Sequence, residues 1–456
     1  PLYSLIWMCT ESRRLHTAIP DFHCQRNGYP GIRISKTELS PVGGITRYEC
    51  QKEKIMYQTS NSKLTSRERI LACIFRNPSI SRTGIAQLTG ITPATVSHTI
   101  FQLQQEQLVF EAGHDLEDSS SAGRKRVSLD IRPEYAAALG LEFTKKALTA
   151  CVTDLKGKVL YQYQIPYSEN LSLTITETII QVLQMVLKDC GIPLDSFCGI
   201  GIGVPGHVTE KGTFVINSSN IWQTFDANKI RDAFSLPVVF ENNVRCMALG
   251  QYLFHPDYTP ENFAFFHVGA GMFCANIVDG SLFTGHTFIS GEIGHIIANP
   301  NGLRCECGKQ GCLQTVASES WLIKNTRQLY QLDSFGILHR LVSSPEEITT
   351  ETIAAAYSLG DEAVCTIVSN ALKYLGIAIS NIAILNNPEK IYLHGQLFSH
   401  PLVHSELNSI LTQQLTFVEN DYVKNFEICP FDTLDGATGA CALAIQKIFL
   451  KKGLTE

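Results

Sequence analysis

Gly291-Glu292-Ile293-Gly294-His295, followed ten residues on by Cys305-Glu306-Cys307-Gly308-Lys309-Gln310-Gly311-Cys312, is the most informative stretch of the 456-residue chain. Three thiols and one imidazole form a closed tetrahedral zinc set: His295, Cys305, Cys307 and Cys312. Gly308 and Gly311 let the backbone turn tightly around an ion. Four protein ligands leave no open position for a catalytic water. The spacing therefore predicts a structural Zn2+ that fixes the loop carrying Glu292 and His295. A redox pair or plain buried cysteines are the alternatives.

The composition around this stretch is that of a folded protein. At 44% hydrophobic and 18% charged residues, the chain can bury cores and is no disordered polyampholyte. Its length suggests about three globular units. A formal charge of −6 excludes a uniformly basic nucleic-acid coat but leaves room for a local basic patch. A chain this long folds without disulfide staples, so the twelve of fifteen cysteines outside the cluster read as small buried side chains in a reducing, cytoplasmic compartment. No run of about eighteen uncharged apolar residues occurs, so no spanning helix and no membrane partner is expected. Residues 1–55 show no helical or strand period and no signal-peptide pattern; 1–60 are expected to be a disordered or upstream extension.

Upstream, residues 61–132 read as a winged helix-turn-helix. Ser66 is expected to cap a first helix carrying Ile70, Leu71, Ile74 and Phe75 at helical spacing, ending at Asn77-Pro78. A second helix (Ser81 to Leu88) stops at Gly90, and Thr92-Pro93 opens a third that runs to about Gln105. Short strands at 108–110 and 126–129 flank a polar loop whose tip is Gly123-Arg124-Lys125-Arg126. Thr95, Ser97 and His98, at the polar start of the third helix, can face base edges in a major groove. Arg124, Lys125 and Arg126 suit phosphates or a narrow minor groove. The acidic run from Glu111 to Asp118 reads as a solvated loop.

From Ala137 onward, strands and helices alternate in two stretches, 133–252 and 253–456, predicting two α/β lobes with a C-terminal helix that packs back on the first. Gly201-Ile202-Gly203-Val204-Pro205-Gly206 matches a dinucleotide fingerprint by letter, but it runs into another strand and turn rather than opening a helix. Nicotinamide binding is therefore not expected.

These residues together resemble the ROK family (repressors, open reading frames, kinases), in its regulator branch of NagC and xylose-repressor type. The resemblance spans roughly residues 64–450, and the Glu-x-Gly-His and Cys-x-Cys-Gly-x-x-Gly-Cys elements are its most specific part. It implies an N-terminal all-α/winged helix-turn-helix domain followed by a two-lobed α/β actin/hexokinase-like domain, with sugar between the lobes and, in the kinases, ATP beside it.

It also implies a sugar or effector site of Asn220, Asn242, Asn243, Glu292 and His295, the last bridging sugar and zinc through its two ring nitrogens. Gln314 stands where the family usually has Glu. The first phosphate loop of the kinases, Asp-x-Gly-Gly-Thr-Lys, is Glu142-Phe143-Thr144-Lys145-Lys146-Ala147 here, and the second is Gly269-Ala270-Gly271-Met272-Phe273-Cys274-Ala275. The family's catalytic Asp is replaced by Asn243, and a carboxamide cannot act as a general base.

The expected protein is thus no enzyme. It is a cytoplasmic, zinc-stabilised, sugar-responsive transcriptional regulator of carbohydrate genes, more a repressor than an activator. Its partners would be double-stranded operator DNA, a small sugar or sugar phosphate, and further copies of itself in a homodimer or tetramer. An active sugar kinase, or a regulator controlled by a protein partner, are the alternatives.

Overall fold

The computed structural model describes residues 64–114, 127–144, 146–167, 173–208, 214–215, 224–257, 259–286, 289–332, 336–415 and 425–452. The 1–60 extension and the wing tip with Arg124, Lys125 and Arg126 lie outside the described residues, as does Asn220.

The winged helix is built by local chemistry. Its first helix, Ser66–Arg76, is capped by Thr65 rather than by Ser66. Thr65 accepts from the Glu68 amide while the Glu68 carboxylate accepts from the Thr65 backbone, and this reciprocal pair outcompetes a lone serine. Ser81 caps Arg82–Thr89, which ends at Gly90 in a left-handed conformation. Thr92 caps Pro93–Gln105. The strands Val109–His114 and Val127–Ile131 pair antiparallel, and Ile80-Ser81, unforeseen in the sequence, adds a third strand beside the latter.

The two lobes share one strand pattern. In the first sheet the order is Val238–Asn242, Phe197–Val204, Ala137–Phe143, Ala147–Asp154, Val159–Pro166. In the second it is Ser281–Phe283, Met272–Val278, Phe263–Val268, Lys390–His394, Phe426–Ile428. Each is an antiparallel meander extended by two parallel strands. Helix Asn243–Phe254 connects the sheets in sequence. Helix Glu362–Asn386 is long and apolar enough to cross a membrane by length and composition alone, contrary to the expectation of no such segment, yet half of its apolar window is buried inside the protein.

The closing helix, Asp435–Ala444, follows the second sheet in sequence but packs on the first. Glycines make this possible. Gly140 and Gly201 pair directly across adjacent strands, and a Cβ at Gly201 would lie 1.8 Å from the Ala440 carbonyl oxygen, one at Gly140 2.1 Å from that of Ala437. Gly439 in turn meets the backbone of Cys246 on the connecting helix, where a Cβ would come within 2.5 Å. Gly201 of the apparent dinucleotide motif thus serves close helix–sheet packing. Gly201→Ala is expected to destabilise the protein by about 2 kcal/mol through overpacking. Urea denaturation should show a lower midpoint with an unchanged slope; an unchanged midpoint would refute the packing role.

The winged helix is fastened to this frame at several points. The Arg76 guanidinium lies 3.8 Å from the Tyr252 ring centroid, donates to the Tyr252 carbonyl, and donates to that of Thr259 at 2.9 Å. Lys156 pairs with Asp130 at 2.8 Å and lies over the Phe75 ring, 5.2 Å from its centroid. One hydrophobic core runs from Ile70, Ile74 and Ile100 through Ala248 and Leu249 to Leu443 and Phe449.

Candidate metal centre and ligand pocket

The donor atoms of His295, Cys305, Cys307 and Cys312 all lie within 4.8 Å of one another. Cys305 Sγ is 3.6 Å from His295 Nδ1, and Cys307 Sγ is 3.6 Å from Cys312 Sγ. Zinc bond lengths of about 2.3 Å to sulfur and about 2.0 Å to nitrogen give tetrahedral edges of about 3.5 Å for nitrogen–sulfur and about 3.8 Å for sulfur–sulfur, close to both of these separations. Local backbone geometry produces the set. Gly311 sits at φ +78°, where a Cβ would meet the Asn299 carbonyl oxygen at 1.7 Å. Its own carbonyl accepts from the amides of Ala298 and Asn299 at 2.8 and 3.1 Å. Burial and hydrogen bonds from Cys307 and Cys305 push the Cys312 thiol up to about 12.

Gln314 has a role the sequence did not suggest. Its side-chain amide donates to Cys305 Sγ at 3.4 Å and to Glu306 Oε1 at 3.2 Å. A carboxylate at this position could offer the sulfur no proton. His295 presents Nδ1 to the thiols and leaves Nε2 facing Glu292 Oε2 at 3.8 Å. One ring therefore touches both the metal set and the carboxylate beside it.

Asn242 and Asn243 open the connecting helix. Asn242 is its N-cap, its amide oxygen accepting from the Val244 and Arg245 amides at 2.9 and 3.2 Å while its nitrogen donates to the Gly206 carbonyl at 3.0 Å. That leaves one N–H for a ligand. Asn243 Oδ1 accepts from the Val244 amide at 3.0 Å, and its nitrogen donates to Glu142 Oε1 at 3.0 Å. Glu142 is buried, and burial, opposed by the Asn243 hydrogen bond and reinforced by Asp435, raises its carboxyl to about 7.

Arg245 joins these asparagines to the metal loop. Its fully buried guanidinium pairs with Glu241 at 3.2 Å and donates to the Ser290 carbonyl at 2.9 Å, immediately before the Gly291–His295 segment. A single Arg inside Val244–Leu249, otherwise apolar, is the signal that could have marked it.

Among the described residues of the first hairpin loop, the amides are spent internally. Thr144 Oγ1 accepts from the backbone of Lys146 and Ala147 at 3.3 and 3.1 Å, and the Thr144 amide donates to the Ala147 carbonyl at 2.9 Å. In the second, the Gly269 amide donates to the Gly271 carbonyl at 2.9 Å. At the other end of the molecule's machinery, Thr95, Ser97 and His98 are exposed on helix Pro93–Gln105. Thr95 shares its hydroxyl with Thr92 at 2.9 Å.

A sequence model described as ROK family matches residues 138–447, and one for winged helix-turn-helix DNA binding matches residues 64–109. The chain is 28% identical over 372 residues to the xylose repressor of Bacillus subtilis strain 168, covering 81% of this chain and 91% of the relative. It is 26% identical over 322 residues to the DNA-binding transcriptional dual regulator NagC of Escherichia coli K12, covering 70% of this chain and 77% of that one. Among solved structures, a ROK transcriptional regulator homologous to the E. coli MLC protein superposes with a TM-score of 0.68 at 24% identity, over 84% of this chain and 96% of the other. A ROK glucokinase from Streptomyces griseus, solved with glucose and AMPPNP, superposes with a TM-score of 0.57 at 22% identity, over 68% of this chain and all of its own.

Proposed function

The chain belongs to the ROK family, and from that premise we propose that it is a sugar-responsive DNA-binding repressor whose kinase-like domain senses the effector without phosphorylating it. The observation that carries the reading is the connecting helix. It begins at Asn242 and Asn243 and ends, about 18 Å away by helical rise, under Arg76 of the winged helix. Glu292, His295, Asn243 and the remaining N–H of Asn242 would hold sugar hydroxyls, with Asn220 added from outside the described residues. Zinc on His295, Cys305, Cys307 and Cys312 would supply a rigid, redox-inert support that fixes the His295 ring.

The chemistry argues against phosphoryl transfer. Asn243 has no basic lone pair to take a hydroxyl proton, and loss of a general base alone removes about 10²–10⁴ in rate. The amides that would cradle a phosphate are already engaged by Thr144. ADP release with a hexose panel at a true kinase's rate would overturn this.

The mechanism is linkage. A sugar that binds the weak DNA-binding state about 100-fold better supplies about 3 kcal/mol, enough to release the operator. Thr95, Ser97 and His98 would meet base edges and Arg124, Lys125 and Arg126 the phosphates. A homodimer or dimer of dimers would bind a palindromic site. A thermal-shift screen of free and phosphorylated sugars, followed by titration of the hit against bound DNA, tests the function. No stabilising sugar, or one that leaves DNA binding untouched, would sink it. Arg76→Ala is expected to keep both affinities within a few-fold and to cut the coupling at least tenfold; undiminished coupling would remove the connecting helix from the mechanism.

A further inference from the structure

Within the DNA-binding reading above, and resting on it, one side chain has no structural employment. Phe101 is 61% exposed, the most exposed phenylalanine among the described residues. It sits mid-way along Pro93–Gln105, whose rotation is fixed by Val96, Ile100 and Leu103, all fully buried. At about 100° per residue this turns Phe101 about 130° away from the centre of the buried stripe, on the solvent side with Ala94 and His98.

The chemistry of that face is unusual for a surface helix. Pro93-Ala-Thr-Val-Ser-His-Thr-Ile-Phe-Gln-Leu-Gln-Gln105 contains no Asp, Glu, Lys or Arg. A helix that merely faces water ordinarily carries charge there, whereas one inserted between phosphate strands must shed carboxylates. A lone ring among His98, Gln102 and Gln105 is also too small an apolar area to dock a protein. With no Arg or Lys on the helix, the bidentate contact to guanine is not available from it. Among base edges in the major groove, the C5-methyl of thymine is the one apolar group.

We propose that Phe101 is a specificity-determining residue that reads thymine, its ring covering a C5-methyl group in the major groove of each half-site. Thymine is then required at that position not for a hydrogen bond but for a methyl group. Deoxyuridine, which pairs identically and lacks only the methyl, must be discriminated against.

The test uses the intact protein. A duplex is selected from a randomised pool, and each thymine of its half-sites is replaced in turn by deoxyuridine. Wild-type protein should lose about fourfold in affinity per methyl removed at one position of each half-site, the worth of one buried methyl group. The Phe101→Ala protein should bind the selected duplex more weakly, show no penalty for deoxyuridine there, and keep the wild-type dependence on salt, since phosphate contacts are untouched. Phe101→Leu should retain part of the penalty, and unchanged thermal unfolding of both variants excludes misfolding. Deoxyuridine tolerated at every position by the wild type, or a penalty that persists in Phe101→Ala, overturns the proposal while leaving DNA binding intact. Failure of the wild type to enrich any duplex, with no salt-dependent binding, overturns the DNA-binding reading itself and this inference with it.

Discussion

Cys312→Ser protein should purify without its metal and without any response to sugar, yet still bind DNA. Wild-type protein is expected to carry one zinc per chain by elemental analysis. Cys312 is fully buried, with Sγ 3.6 Å from that of Cys307. A serine hydroxyl there neither ionises at neutral pH nor replaces a thiolate as a soft ligand.

Structural zinc binding supplies about 10–16 kcal/mol in zinc-finger peptides, comparable with the whole stability of a typical domain at about 5–15 kcal/mol. Here the loss should fall chiefly on the 291–312 loop and on the edge of the second-sheet core against which its Ile293, Ile296 and Ala298 pack, while the first-sheet core has no residue from the loop. His295 then loses the anchor on Nδ1 that aims Nε2 toward Glu292, and sugar affinity should drop by about 10–100-fold or more. The winged helix packs Ile70, Ile74, Val96 and Ile100 into a core that has no residue from the loop and should still recognise DNA, now constitutively. Chelation of the wild type should reproduce the phenotype, and Cys365→Ser, remote from the cluster, should not. Full zinc content in Cys312→Ser, or an intact sugar response after chelation, would remove the metal from the design.

What the sequence revealed and what it hid divide along sequence separation. The metal set was legible because its four ligands fall within eighteen residues, and glycines mark the turns between them. The helix starts at Thr92-Pro93 and Ser81 were legible because capping is settled within four residues; Thr65 displaced Ser66 only because Glu68 completes a reciprocal pair.

Long-range contacts were not. Gly201 meets Ala440 across 239 positions, so the strand's glycines presented a cofactor motif whose true partner is a helix at the far end of the chain. Asn242 reads as a ligand in the sequence, which does not disclose that its oxygen also caps the connecting helix and leaves one N–H free for that task. Arg245 drew no notice in the sequence and is fully buried between Glu241 and Ser290. In each case the deciding atom is a backbone carbonyl or amide, and no residue-type pattern announces where those will lie.

Glu142→Gln should make the protein more stable at pH 8, by about 3 kcal/mol, and leave it nearly unchanged at pH 4.5. Glu142 is buried, and burial raises its carboxyl to about 7 from an ordinary value of 4.5, despite the Asn243 hydrogen bond and with the Asp435 charge adding to the rise. The native state therefore holds a proton that the unfolded chain releases between those two values. Stability from this group is fully present below about 4.5 and is lost as pH climbs through about 7. The difference of 2.5 pH units corresponds to about 3 kcal/mol. Glutamine removes the ionisation but keeps an oxygen to accept from Asn243.

Glu319 is likewise raised to about 7, by burial first, with Lys146 opposing and Glu351 adding. Part of the wild-type pH dependence will thus survive in the variant, and the informative quantity is the difference between the two denaturation curves from pH 4.5 to 8. A difference flat in pH would show that folding does not raise the Glu142 carboxyl. The same geometry bears on a carboxylate at residue 243. An aspartate there would put a second carboxylate 3.0 Å from Glu142 Oε1, in a site that already resists one charge, so the pair would be forced to share a proton. Asn243→Asp should therefore steepen the loss of stability above pH 7 instead of restoring a usable base, because the proton acceptor and its neighbour would have to be replaced together.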